Sequence, residues 1–446
     1  MLTHSLLRIN GLRVFVAMMF LTGISALMAS FSDATPQKTP TVEEVNTAFG
    51  IPLSSGESLW AERDVRAADR LRLPRESQTS YESGYRTYAQ TEVLGVRAFS
   101  IFLQGINDKV ATVTILLANK GDIDSFASAN DQAGIARTAQ ISKQTKSYQN
   151  FVSPQMIQAY QAAIRNDLNQ LKTKLESLFG ASKPATLGIY VNLQERGERW
   201  DWQGISFFLA APRNEYIVLR ILPSATFEKT DRDRIAFQAA KALLPARVTR
   251  RSNGDVIITD MPMVNQGPKG YCVPATFERV MRYYGLQVDM NVLAMGGQTE
   301  AGGGTSLTTL CNAAYLIVNN AGGRVIQGMS SVRISDIAPY IDKGQPIIWS
   351  LYSSKELNKR ANERTQARRS VTDWNAWKQN VLQHARATIN QIPSNVDGHV
   401  CLIIGYNRIT GEVAISDSWG PSYQERWITQ EEAMAASQGS ASVIGW

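Results

Sequence analysis

The sequence predicts an α+β protein of two domains behind an N-terminal targeting segment. Three observations carry this. A chain of 446 residues is too long for one ordinary core. The stretch Ser153 to Gly180 repeats its apolar residues at intervals of three and four, the mark of an amphipathic helix, and runs with strand pattern flank it. A short, mostly apolar run lies near the N-terminus, from Val14 to Met28.

That opening reads "MLTHSLLRINGLR", with Arg8 and Arg13 and no acid, then "VFVAMMFLTGISALM" from Val14 to Met28, then small residues in "ASFS". A basic region, a short apolar core and small residues are the parts of a secretory signal. The run is short for a spanning helix. Residues 1–30 are therefore expected to be a signal peptide. The mature protein is expected to be exported, periplasmic or extracellular, with no stable membrane insertion; an uncleaved N-terminal anchor is the alternative. Residues 31–60, rich in Ser, Thr and Pro, read as a linker.

Residues 61–245 form the first expected domain, α+β and of unknown role. "VRAFSIFLQGI" and "ATVTILLAN" read as two strands joined by a turn at Asn107–Asp108. Ser153 fits the cap of the long helix, Pro154 its first position and Gly180 its stop. Its core stripe is expected to be Ile157, Tyr160, Ile164, Leu168, Leu171, Leu175 and Leu178. "TLGIYVNLQ", "GISFFLA" and "EYIVLRIL" read as strands and "DRDRIAFQAAKALL" as a helix. Trp200 and Trp202 in "RWDWQG" suit a hairpin with buried tryptophans better than a ligand-stacking surface.

The second domain, residues 255–446, holds the chemistry. From Cys272 a helix runs to Tyr284, with Phe277, Val280, Met281 and Tyr284 on its apolar face. "AGGGTSLTTLCNAAYLIVNNAGG" is a Gly-rich turn into a second helix, and no Gly-Lys-Ser/Thr makes it a phosphate loop. "PIIWSLY", "HVCLIIGYN" and "EVAISDSWG" read as strands, the last two joined by "RITG". Residues 355–391 are polar, helical in pattern and rich in Lys and Arg. They read as an insertion that is either a solvated helix or a basic lid over the cleft.

The net charge of +7 is dispersed, which gives no footprint for nucleic acid. The chain shows no metal-ligand spacing, so no metal and no cofactor is expected. It has three cysteines, Cys272, Cys311 and Cys401, and three histidines, of which His384 and His399 lie beyond the signal. An odd cysteine count in an exported chain leaves at least one free thiol. Cys311 in a helix and Cys401 in an apolar strand read as core.

Cys272 differs from both. It begins a helix, where unpaired N–H groups and the macrodipole favour a thiolate. The loop "NQGPKGY" before it has two glycines and a proline, which lets backbone approach a ligand closely. Gln266 offers a side-chain N–H that, with the backbone N–H of Cys272, would form an oxyanion hole. His399, at the edge of its strand, is the candidate base. If the two last strands pair, Asp417 comes beside it and can hold one tautomer, with Trp419 packed over the pair. Gly270, Tyr271 and Trp419 are the candidate substrate contacts.

Gln, five residues, Cys, a helix, a distant His on a strand and then "DSWG": this order resembles a papain-like cysteine peptidase. "CVPATFERVMRYYG" with "GHVCLIIGYN" is closer to the bacteriocin-processing, double-glycine leader peptidases and their secreted relatives. The resemblance covers about residues 255–430. It implies a helix-rich lobe with an antiparallel sheet, Cys272 as nucleophile, His399 as base, Asp417 as its orienting residue and Gln266 in the oxyanion hole. The expected substrate is a peptide or protein; leader specificity is not implied. Two other readings stay open. One is an amidase or transpeptidase acting on cell-wall or other peptides with the same residues. The other is a non-catalytic binding protein. For the first domain the open readings are a propeptide-like blocker of the cleft and a substrate-presenting module.

Overall fold

The computed structural model describes residues 39–145, 151–188, 191–227, 232–268, 270–302, 304–388 and 398–446. Pro40–Trp446 form one compact unit. The expected signal peptide lies outside the described residues. The expected linker is corrected over its second half. Thr41 and Glu44 make a capping box that starts α1 (Val42–Phe49), and Gly50 closes it in the left-handed conformation. Val45, Phe49, Leu53 and Leu59 are buried. Ser/Thr/Pro-rich composition concealed a few well-spaced apolar residues that find a core.

After α2 (Asp64–Arg70) the N-terminal half is built on β1 (Arg75–Gln78), β2 (Glu82–Thr87), the small hairpin β3 (Thr91–Val93) and β4 (Val96–Ala98), β5 (Ser100–Ile106) and β6 (Lys109–Asn119). Next come α3 (Ala129–Thr145), α4 (Pro154–Phe179), β7 (Lys183–Leu187), β8 (Glu195–Trp202), β9 (Ile205–Ala210) and β10 (Tyr216–Pro223). Eight strands form one antiparallel sheet in the order β1-β2-β5-β6-β10-β9-β8-β7. The β5–β6 hairpin turns at Asn107 and Asp108, both with positive φ (51° and 60°), as a two-residue turn of the primed type requires.

Helix α4 carries the expected cap and stop, Ser153 and Gly180. Its buried stripe is Met156, Tyr160, Ile164, Leu171 and Leu175, and it packs on the sheet. Ile157 is a correction: it is exposed, because Met156 takes the core position in the first turn. Trp200 and Trp202 are buried, and their indole N–H groups donate to the carbonyls of Gly180 and Pro40, each at 2.9 Å. "TLGIYVNLQ" is not one strand: β7 ends at Leu187, and Val191–Leu193 is a 3₁₀ turn.

The second half follows α5 (Arg232–Leu243). Its sheet contains β11 (Val248–Arg250), β12 (Asp255–Ile258), β13 (Arg324–Met329), β14 (Ile347–Tyr352), β15 (Gly398–Asn407), β16 (Glu412–Ser416), β17 (Arg426–Thr429) and β18 (Ser437–Gly445). One edge of β15 pairs with β14 along 398–403 and with β12 along 405–407, and its other edge pairs with β16. Strand β17 pairs with β16. Helices α6 (Cys272–Tyr283), α7 (Met290–Gly296), α8 (Leu307–Asn320) and α9 (Ile334–Ile341) make the helical part. The central one, α6, buries Phe277, Val280 and Met281 and packs against β15. The insertion is α10 (Lys355–Arg368) and α11 (Trp374–Thr388), and α12 (Gln430–Ala436) precedes β18.

The two halves, each built on its own eight-stranded sheet, meet within the one compact unit. The halves share buried polar contacts. Arg282 on α6 pairs with Glu82 on β2, both almost fully buried. Gln104 donates to Gln287 at 2.7 Å, and the Tyr271 hydroxyl donates to Asn119 at 2.5 Å. Among the described residues, no helix is long and apolar enough to cross a membrane.

Candidate active site

The β15–β16 hairpin brings His399 and Asp417 together. Leu402 pairs with Ser416, so the start of one strand lies beside the end of the other. His399 Nε2 is 2.9 Å from Asp417 Oδ1. The side chain of Cys272, at the first position of α6, lies close enough to that of His399 for each to shift the other's titration. An imidazole has two nitrogens; with Nε2 on Asp417, Nδ1 is the one left for the thiol. Trp419 stacks on the His399 ring with centroids 4.6 Å apart and planes 25° apart. His399 is 7% exposed and Asp417 1%, so the pair is shielded from water.

Electrostatics separate the three thiols. Burial alone pushes the Cys272 thiol up. The His399 hydrogen bond and charge, with backbone hydrogen bonds from Val400 and Val273, outweigh it and bring it below the ordinary thiol value. Cys311 and Cys401 are pushed up by burial. All three are free, and only Cys272 is half-buried rather than buried. Burial would lower His399, but Asp417 and then Cys272 reverse it, and its pKa rises to about 9. Asp417 stays below the usual carboxylate range: the His399 hydrogen bond and the Arg426 charge overcome the cost of burial.

Around this cluster the backbone is tied down. Arg279 on α6 is fully buried and bonded to neutral oxygens. It donates to the carbonyls of Pro262 (2.8 Å) and Ser416 (3.1 Å) and to the Ser416 hydroxyl (2.5 Å), which joins the Gln266 loop to the Asp417 strand. Lacking a directly bonded carboxylate, it loses charge stability to burial and falls to about 10. Gln266 N–H donates to Ser418 O at 2.8 Å. The Gln266 side-chain Oε1 is buried with no hydrogen-bond partner, so this amide carries an unsatisfied atom in the loop ahead of the cysteine. The N–H of Cys272, in the first helical turn, has no acceptor within its helix.

Of the expected substrate contacts, Trp419 is half-buried over His399, and Gly270 has a φ of 68°, which suits glycine. Tyr271 is a correction. Its ring is buried and its hydroxyl is held by Asn119, so it joins the two halves and offers no surface to a substrate. His384 is exposed. Both readings of the insertion are corrected for Arg360, Arg364 and Arg368, which are buried. Arg364 pairs with Glu432 (Nη2–Oε1 2.9 Å), and Arg368 pairs with Asp255 (2.5 Å) and Glu412. Their spacing of four puts them on one helical face, and that face meets buried carboxylates.

Sequence reasoning missed Arg426. Buried on β17, it donates through Nε to Asp417 Oδ2 at 3.1 Å. Its other nitrogens donate to Asn358 Oδ1 (3.0 Å) and Asn362 Oδ1 (3.1 Å) on α10. The one sequence signal was an arginine inside the apolar run "RWIT".

Among the described residues, no group of three or more His, Cys, Asp or Glu is arranged to hold a metal ion. A cavity of about 340 Å³ lies between the halves, lined in part by Phe102, Arg220, Glu278, Arg282 and Asp289. It holds none of the Cys272 cluster, and its arginines are already paired with Glu195 and Glu82.

Residues 258–439 match the model of the Peptidase_C39 like family. Comparison with curated proteins gives no match. Among solved structures, the chain is similar to the peptidase domain of Streptococcus ComA, a bi-functional ABC transporter involved in a quorum sensing pathway. Identity is 16%, the TM-score is 0.27, and the alignment covers 41% of this chain and 96% of that one. Residues 258–439, which carry Cys272, His399 and Asp417, are therefore similar to the Peptidase_C39 like family of cysteine peptidases.

Proposed function

We propose that this protein is an exported cysteine peptidase that hydrolyses peptide bonds by acyl transfer. The observation that carries the reading is His399 held between the Cys272 thiol and Asp417 Oδ1, under the Trp419 ring. Export rests on the N-terminal sequence alone.

In this mechanism the Cys272 thiolate attacks the scissile carbonyl carbon. A C–S bond forms and the carbonyl π pair moves to oxygen. The Cys272 N–H and the Gln266 amide stabilise that oxyanion. Collapse breaks the C–N bond, and His399, protonated while paired with the thiolate, gives its proton to the leaving amine. Water then attacks the thioester, with His399 as base. The C–S bond breaks, the acid leaves, and the ion pair is restored. Asp417 keeps the imidazole in one orientation throughout and stabilises its charge.

The test is labelling with an electrophilic peptide probe, comparing the wild type with Cys272→Ala and His399→Ala. Selective labelling at Cys272 that depends on His399 is the expected result. Equal labelling of the three cysteines, or none, would leave a binding protein with a peptidase-like fold.

A further inference from the structure

The N-terminal half has no task in that mechanism, yet its first strands reach the loop that carries Gln266. The Met263 N–H donates to Ser77 Oγ at 3.0 Å, and the Asn265 N–H donates to Glu76 Oε1 at 2.7 Å. The Tyr88 hydroxyl donates to the Asn265 carbonyl at 2.7 Å. Both backbone polar groups of the residue just before Gln266 are therefore fixed by the N-terminal half. On the other side, Gly267 has a φ of 75°, and a Cβ there would stand 3.1 Å from the Tyr88 ring. The Tyr88 ring thus covers the residue just after Gln266, and only glycine fits beneath it without strain.

The clamp is itself rigid. Glu76 accepts from Arg86 Nε at 2.9 Å with both side chains buried, and the Arg86 guanidinium lies 4.2 Å over the Phe102 ring. Tyr88 packs edge-on against Phe99 at 5.6 Å. Ser80 bonds Asp260 at the start of the same loop, with Ser80 N–H donating at 3.2 Å. None of these contacts involves Cys272, His399 or Asp417.

We propose that Glu76, Ser77 and Tyr88 are positioning residues for the oxyanion hole, and that the N-terminal half is a permanent wall of the active site, not a detachable blocker. This rests on the peptidase reading. An oxyanion donor works because it is already in place when charge develops, and freeing its loop removes that preorganisation. The clamp therefore bears on steps that pass through a tetrahedral oxyanion and leaves the thiolate itself alone.

Two reagents separate these effects without knowledge of the natural substrate. p-Nitrophenyl acetate acylates Cys272 through an oxyanion; iodoacetamide alkylates it by displacement at a saturated carbon, with none. Tyr88→Phe keeps the ring over Gly267 and removes the one hydroxyl; Ser77→Ala is the second variant, in case the first fails to fold. In either, acylation is expected to fall by about tenfold or more, below the roughly 10²–10³ of losing an oxyanion donor outright, while alkylation changes by less than about twofold. Unchanged acylation, or acylation and alkylation falling together, would overturn the proposal. Gln266→Ala is measured beside them. If it acylates like the wild type, the oxyanion role of Gln266 itself fails, whatever Tyr88→Phe does.

Discussion

Arg426 donates its Nε to the oxygen of Asp417 that His399 does not use, at 3.1 Å. A buried carboxylate is costly to keep ionised, and the His399 hydrogen bond and then the Arg426 charge offset this here. It also links the insertion to the cluster, since Asn358 and Asn362 on α10 accept its remaining N–H groups. The Asn358 amide cannot turn away: its Nδ2 donates to Ser353 Oγ and to the Ser354 carbonyl.

Arg426→Met should therefore destabilise the fold by about 3–5 kcal/mol, the cost of leaving one member of a buried pair alone. It should also shift the site's titration. With one cation fewer nearby, imidazolium is favoured and the pKa of His399 moves up. Asn358→Ala leaves a buried guanidinium donor unsatisfied and should cost about 1–3 kcal/mol. Denaturant unfolding gives the stabilities, and the pH dependence of Cys272 alkylation gives the shift. A variant as stable as the wild type, with the same profile, would remove Arg426 from the account.

The cysteine and histidine shifts have a definite sign against pH. The Cys272 pKa is lowered, so its thiolate is present above that lowered value and is lost as pH falls through it. That of His399 is raised to about 9, so the imidazolium persists to that pH and is lost above it. The ion pair thus occupies the window between the two. Thiolate absorbance, taken as wild type minus Cys272→Ser, should appear at lower pH than that of an ordinary thiol. In His399→Ala, burial alone should push it above. Thiolate appearing only in the ordinary range in the wild type would contradict the pairing.

Much of this site was legible in sequence because it depends on order and local pattern. A cysteine at a helix start, a histidine at a strand edge and "DSWG" on the next strand meet once a hairpin forms, and hairpin formation is a short-range event. What was hidden depends on long-range pairing of charges. Glu82 with Arg282, and Arg364 with Glu432, read as solvated residues until their partners arrive from distant segments. Arg426 was invisible for the same reason. Residues 42–59 show the reverse error, where composition outweighed a few apolar residues that the core takes up.

Helix α4 gives a simple check on periodicity against packing. The stripe drawn from sequence begins at Ile157, but that residue is 40% exposed while Met156 is fully buried. Met156→Ala should cost about 2–5 kcal/mol through the cavity it leaves. Ile157→Ala should stay within about 0.5 kcal/mol. Equal losses in denaturant unfolding would mean that the helix is rotated from this placement.

The insertion's arginines provide the last prediction. Arg368 lies between aromatic rings, 3.9 Å over Trp427 and 4.9 Å from Trp374, and its guanidinium faces Glu412 and Asp255. Glu412 is fully buried, and one of its oxygens already lacks a hydrogen bond. Arg368→Ala would strand two carboxylates in the interior, so unfolding should become easier by about 3–5 kcal/mol. Lys359→Ala, on the exposed side of the same helix, breaks a loose 3.9 Å pair with Glu363 and should cost no more than about 0.5 kcal/mol. A lid evolved to attract acidic substrates would behave differently: both changes would weaken turnover of acidic peptides while leaving the unfolding midpoint where it was. A large loss of stability confined to Arg368→Ala identifies α10 as a brace whose positive charge is consumed inside the protein.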